Sequence, residues 1–469
     1  MHKMEKGESG VKQTGTDRSQ MMLEEKVSRV IPKMAVPTIV AFLINSIYSL
    51  ADTYFVSSLG IEATAAVSVN ASLDQLIMMA GSLLAVGAAS YIARLLGQEK
   101  KDEASSVLST AFFIAASFGL VLAVLGSSFI HPLVRLLGAT ATCEQYSIDY
   151  ATYVLLAAPF MTSNFVMNQC LRSEGSATLS MVGMGFGGIL NCILDPIFIL
   201  GLDLGVAGAS MATAISKVVS FSILISPYLT HRSVLRLSIR RFRIKAKTMF
   251  EIISVGSSSM FRSFLAVVSA ILLNTLAGQI SDSVLAGIGV TNKIMMFPFS
   301  VILGFGTGFQ PVAGFNFGAR RYDRVMESYH FATKVVLIGS AAMAATVALF
   351  ARPIITAFAG TDPQMLEIGR LCILLQCAAL PIHGWGVVVN MLCAGLGRGG
   401  SALILSTSRQ GTCFLPILYP MAWAFGAYGL AGVQAAADVL SLALAIPILR
   451  RTLRYIRQTA EQQPSAVKI

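Results

Sequence analysis

Twelve apolar runs of about twenty residues or more follow one another along almost the whole chain, at roughly 33–57, 63–93, 104–129, 148–169, 178–200, 206–229, 250–278, 285–315, 328–351, 368–393, 402–425 and 429–449. A helix rises 1.5 Å per residue, so about 20 residues cross a hydrocarbon core of about 30 Å. In lipid only a helix or a closed barrel satisfies its own backbone hydrogen bonds, and the alternating ten-residue pattern of an outer-membrane barrel is absent. The expected fold class is therefore an all-α polytopic membrane protein with twelve transmembrane helices. Composition agrees: 13% of the residues are charged, against about 25% in a soluble domain.

The formal net charge of +11 would suit nucleic acid, but its placement argues for a bilayer. With the N-terminus inside, the predicted inside segments hold 27 of the 35 Lys and Arg, while the outside loops hold Arg135 and Arg352. That asymmetry is the positive-inside pattern, so both termini are expected in the cytoplasm and the protein in the plasma membrane. Residues 1–30 are polar, lack the apolar core of a signal peptide and read as a disordered cytoplasmic tail; residues 451–469 read as a second cytoplasmic tail. The seven cysteines lie mostly within spans without a C-x-x-C and read as small apolar filler.

Laying the second half over the first exposes a duplication. At an offset of 221, Gly87 meets Gly308, Gly97 meets Gly318 and Asp102 meets Asp323. At 222, Pro159 meets Pro381, Asn168 meets Asn390 and Gly175 meets Gly397; at 224, Pro196 meets Pro420, Gly205 meets Gly429 and Gly208 meets Gly432. Two six-helix lobes follow, 31–230 and 250–450, joined by a basic connector, 231–249. Six is even, so both copies enter the membrane from one side, a parallel repeat typical of transporters. The connector holds seven basic residues and no acid, which suits anionic head groups or simply fixes topology. The glycine runs at 183–188 and 304–308 lack the preceding strand and the Gly-Lys-Ser/Thr of a phosphate loop. Neither nucleotide nor organic cofactor is expected, and transport is expected to be driven by an ion gradient.

Within the first lobe, intramembrane polar groups converge. Asn191 and Asp195 are four residues apart, hence on one helical face, and a carboxylate at that depth costs about 2.5–3.5 kcal/mol on insertion scales, so it points to function. Counting residues from the outer helix ends brings Asp52, Asn191, Asp195 and Thr213 to one level. Such an all-oxygen set suits Na+; the same carboxylates could instead carry H+, or an acid could simply pair with Lys217, one turn from Thr213.

Leu50-Ala51-Asp52-Thr53, the Asn191-x3-Asp195-Pro196 motif, Gly208-Ala209-Ser210-Met211-Ala212-Thr213 and the stretch Gly308-Phe309-Gln310-Pro311-Val312-Ala313-Gly314-Phe315-Asn316-Phe317-Gly318-Ala319 together resemble the multidrug and toxic compound extrusion (MATE) family of cation-coupled exporters, from about Ile31 to Arg450. The resemblance implies a cation-coupling site at Asp52, Asn191, Asp195 and Thr213, which would also hold Na+ if a metal is used. It implies bending of the first helix at Pro37 and roles for Tyr48 and Asn168 in the substrate and proton network. Acids used by some relatives on the seventh and tenth helices are missing here. This assigns the chain to the prokaryotic branch whose ion site lies in the first lobe. Lys217 would compete with Na+ and favours H+. Asp74 is either a second titrating site or, with Lys293 and Asp438, part of pairs across the lobe interface.

The function expected is a secondary active antiporter, working as a monomer, that exports organic, mostly cationic and lipophilic compounds in exchange for H+ or Na+. The alternative is a lipid-linked precursor flippase of the same superfamily, which needs several inward cations; Arg262, Lys217 and Lys293 are the candidates the sequence offers. A membrane enzyme would need a His with an acid at metal spacing or a Ser/His pair. The five histidines are scattered, and His383, the one at mid-span, has no acidic neighbour.

Overall fold

The computed structural model describes residues 18, 20–57, 59, 61–140, 142–230, 232–359 and 362–462. Ten long helices come in order as α1 (Val27–Ser57), α2 (Ile61–Gly97), α3 (Lys101–Ser128), α4 (Glu144–Ser173), α5 (Ala177–Pro196), α6 (Gly205–Leu229), α7 (Ala246–Ile280), α8 (Asp282–Gly318), α9 (Tyr322–Leu349) and α10 (Pro363–Gly395). An almost unbroken helical stretch, Gly399–Gln462, ends the described residues. At 1.5 Å per residue its 64 residues would run about 96 Å, some three hydrocarbon thicknesses. Gly426 resolves this: its φ of 54° and ψ of −129° break the helix, giving α11 (399–425) and α12 (427–462) and twelve long apolar helices among the described residues. Large apolar side chains such as Val124, Phe186 and Ile193 are about half exposed, as lipid-facing residues must be.

The duplication is written into the backbone. Glu99 (φ 62°) and Arg320 (φ 58°) occupy the left-handed region at matching turns, as do Gly175 (85°) with Gly397 (79°) and Gly205 (55°) with Gly426 (54°). Short helices Ile130–Leu136 and Ala351–Ala359 follow α3 and α9. Asn168 donates its amide to Ser180 O at 3.1 Å, and Asn390 donates to Ala402 O at 3.3 Å, each twelve residues on. One register is corrected. For the last helix of each lobe the offset is 221, not 224: Gly208 and Gly429 are the equivalent pair, each abutting backbone of the helix before it, Phe198 O and Met421 O.

Hydrophobicity cannot hold helices together in lipid, so close packing of small residues must. The matched glycines do this between the lobes. A Cβ on Gly87 would lie 1.9 Å from Ile252 O of α7, and one on Gly308 2.5 Å from Ala35 Cα of α1. Gly97 and Gly318 bring α2 and α8 together: a Cβ on either would lie 2.1 Å from a backbone oxygen of the other helix, Phe315 O and Arg94 O. An Arg94–Glu251 ion pair at 2.7 Å crosses the same boundary. All of this lies at the end bearing the connector, the basic end; farther out, Ser46 Oγ and Ser300 Oγ still meet at 2.8 Å.

The connector is strapped to α3. The backbone N–H groups of Arg236, Ser238 and Arg243 donate to Ser105, Ser109 and Thr110 at 3.1, 3.2 and 3.3 Å. Glu174, in the α4–α5 turn, accepts from Ser233 Oγ at 2.6 Å and from the Val234 and Leu235 N–H groups; burial nevertheless holds its carboxyl above the usual range. Part of each expected tail is helical. Residues 20–24 are helical with Met22 buried, α1 starts at Val27, and α12 runs on to 462 with Thr452 and Ile456 buried. Residues 1–17, 19 and 463–469 of the expected tails lie outside the described residues.

Candidate functional site

Asn191 and Asp195 share the face of α5 that meets α6, and both are buried, Asp195 completely. The amide orientation that satisfies its neighbours donates Asn191 N–H to Asp195 Oδ2 at 3.1 Å and accepts from Thr213 Oγ1 at 3.1 Å and Thr213 N at 3.3 Å. Directly beyond Asp195, Pro196 has no N–H to give to Cys192 O, and the helix widens into a π turn, Ile197–Gly201. Such π turns recur at functional sites. Asp52 on α1 is half-buried and near enough to Asp195 for their charges to interact. One oxygen of Asp52, Oδ1, is buried without a hydrogen-bond partner. The four residues the sequence counted to one depth do therefore form a neighbourhood of α1, α5 and α6.

Asp74 on α2 belongs to this neighbourhood: it interacts electrostatically with Lys217 and Asp52, and its Oδ1 is also a buried orphan. Asp438 pairs within its own lobe, where Arg409 of α11 donates Nε to its Oδ1 at 2.7 Å. Lys293 is exposed on α8. The Lys217 ammonium rests 5.1 Å from the centroid of the Tyr48 ring, a cation–π contact, and reaches Asp52 and Asp74 through space. Buried Tyr150 of α4, which sequence reasoning passed over, feels Asp74, Asp52 and Asp195 together. Among the described residues no three His, Cys, Asp or Glu side chains converge on a metal-sized point.

Inward from the acids lies a cavity inside the first lobe, lined by Phe42, Tyr48, Met78, Met184, Asn168 and Lys217 among others. Arg172 also lines it. The sequence counted this arginine as a loop charge, yet it is 2% exposed, donates to Ser180 Oγ at 2.9 Å and to Asn168 Oδ1, and faces the Phe42 ring. Asn168 thus acts first as a tie between α4 and α5, a contact its counterpart Asn390 repeats. The cation inventory of Arg262, Lys217 and Lys293 is corrected by adding Arg172 and Arg409. Arg409 was legible as a lone charge inside the 402–425 run; Arg172 was not, because it sits one turn from a helix end.

The second lobe holds its own cavity, with Arg262, His383, Arg409 and Asp438 in its wall.

The family model MatE matches residues 37–197 and 258–419, one match in each lobe. The chain belongs to the MatE family. Its MATE relatives include the multidrug export protein MepA of Staphylococcus haemolyticus, 27% identical over 410 residues covering 87% of this chain and 89% of the relative. MepA of Staphylococcus aureus is 26% identical, covering 86% and 89%. Among solved structures, an outward-facing multidrug resistance MATE transporter of the MOP superfamily superposes with a TM-score of 0.87 at 25% identity, covering 94% of this chain and 98% of that one. A MATE in complex with MaL6 superposes at 0.89 with 24% identity, covering 94% and 99%. This MATE chain is therefore a multi-pass membrane transporter and not an enzyme, and its two lobes are the two halves to which the family model matches separately.

Proposed function

We propose that this MATE chain is a multidrug efflux antiporter of the plasma membrane, with both termini cytoplasmic, exporting organic, mostly cationic compounds in exchange for H+. The observation that carries the reading is the bonded group Asn191, Asp195 and Thr213 with Asp52 alongside, directly outward of an aromatic and methionine-lined cavity. The names of the MepA relatives support the substrate class.

Lys217 supports H+ over Na+. A fixed ammonium within range of Asp52 and Asp74 already supplies one positive charge, and a second fixed cation entering there meets repulsion. A proton neutralises an acid without needing a coordination shell. Protonation would loosen the hold of these acids on Lys217 and alter α1. Pro37 of α1 lies between Ala35 and Ile39, which pack on Gly308 and Gly304 of α8, so a bend there pulls directly on the lobe boundary. The packed basic end supports a resting state open to the outside.

A flippase reading gains Arg172 and Arg409, yet they line separate cavities, one per lobe, where a diphosphate needs cations converging on one cleft. The test is ethidium transport in proteoliposomes under a pH gradient alone and a Na+ gradient alone. Transport under the pH gradient alone is expected; transport under the Na+ gradient alone would overturn the proton assignment.

A further inference from the structure

The cavity of the second lobe has a chemistry the export reading leaves unused. Arg409 sits in a π turn of α11, Ser408–Thr412, the same device that follows Asp195 in α5. Its Nε is taken by Asp438 at 2.7 Å, and its guanidinium carbon lies 4.5 Å from the centroid of the Phe299 ring. Its Nη2, however, is buried with no hydrogen-bond partner, and so is Ser441 Oγ in the same wall. Arg262 of α7 enters from another side, donating Nη2 to Ser259 Oγ at 3.2 Å. Both arginines are close enough to His383 to act on it electrostatically. Asp438 is the one acid among the described lining residues, so two guanidinium groups face a single carboxylate.

A buried guanidinium N–H left unbonded costs the desolvation of a charged donor, and a fixed excess charge in a low-dielectric site favours an opposite one strongly. Guanidinium forks match planar oxyanions. Phe299, His383 and Trp385 supply aromatic surface beside them. We infer that this cavity is a binding site for an aromatic or amphiphilic carboxylate, held by Arg262, Arg409 Nη2 and Ser441, with Asp438 setting the strength by competing for Arg409. The site lies entirely in the second lobe and stands independently of the proton-coupled export assigned to the first.

Binding to the purified full-length protein in detergent tests this, using fluorescein, an anionic xanthene, and rhodamine 6G, a cationic one on the same ring system, read by fluorescence anisotropy. Arg262→Gln is expected to weaken fluorescein about tenfold, the scale of one lost charge-assisted hydrogen bond, and Asp438→Asn, nearly isosteric, to strengthen it about tenfold by releasing Arg409. Opposite signs in the two variants cannot come from general loss of packing. The inference is overturned if both variants weaken fluorescein, if neither changes it, or if rhodamine 6G responds to them in the same directions. Loss of pH-driven ethidium transport by the wild-type protein would overturn the export reading alone.

Discussion

The two lobes share one backbone plan and differ in the sign of what they bury. In the first, Asp52, Asp74 and Asp195 outnumber Lys217 and Arg172; around the second cavity, Arg262 and Arg409 outnumber Asp438. The ties that make the fold, such as Asn168 to Ser180 O and Asn390 to Ala402 O, are duplicated, whereas the charges are not. The difference separates two kinds of constraint. Helix crossings and turns are required twice because both halves must pack, while a buried charge persists where it has a task or a partner.

The comparison breaks most sharply at Asp195. Asp195→Asn keeps the side-chain volume but cannot bind and release a proton near neutral pH, and we expect pH-driven dye efflux to be abolished while the amount in the membrane is unchanged. Full transport by this variant would remove the first lobe's claim to the ion. The next largest effect is expected for stability in the second lobe. Arg409→Gln leaves Asp438 buried without its partner, a loss of about 3–5 kcal/mol, whereas Lys217→Gln breaks no contact ion pair and should cost under about 1.5 kcal/mol; thermal unfolding in detergent compares them. Equal costs would mean that Lys217 is as firmly paired as Arg409.

Smaller and symmetrical effects test the shared plan. Gly97→Ala and Gly318→Ala each drive a methyl group into backbone 2.1 Å away. Each is expected to cost about 1–3 kcal/mol and to loosen the basic end, seen as faster labelling of a cysteine placed at Ala93. A large effect at one glycine and none at the other would mean that the lobes do not close symmetrically. Least of all, Asn390→Ala removes one amide-to-carbonyl bond, about 1 kcal/mol, while Asn168→Ala removes its counterpart together with an acceptor of Arg172 and should cost somewhat more. A transport defect in Asn168→Ala well beyond that of Asn390→Ala would restore a specific place for Asn168 in the substrate path.

Much of this was readable before any coordinates. Apolar run lengths predicted twelve spans because lipid leaves a chain so few ways to satisfy its backbone. The i, i+4 spacing of Asn191 and Asp195 placed both on one face, and counting residues from the helix ends brought Asp52 and Thr213 level with them, because rise per residue is nearly constant. The glycines at an offset of 221 marked the duplication, and the structure shows that they sit at crossings, where a backbone that must touch another has no room for a side chain. What counting could not supply was rotation about the helix axes. Whether Asp74 faces Lys217 or the other lobe, whether Asp438 meets Arg409, and whether Arg172 points into lipid head groups or into a cavity each turn on the azimuth of a helix. That azimuth is set by how all its neighbours pack, so depth was decided along the chain and partnership only by the folded bundle.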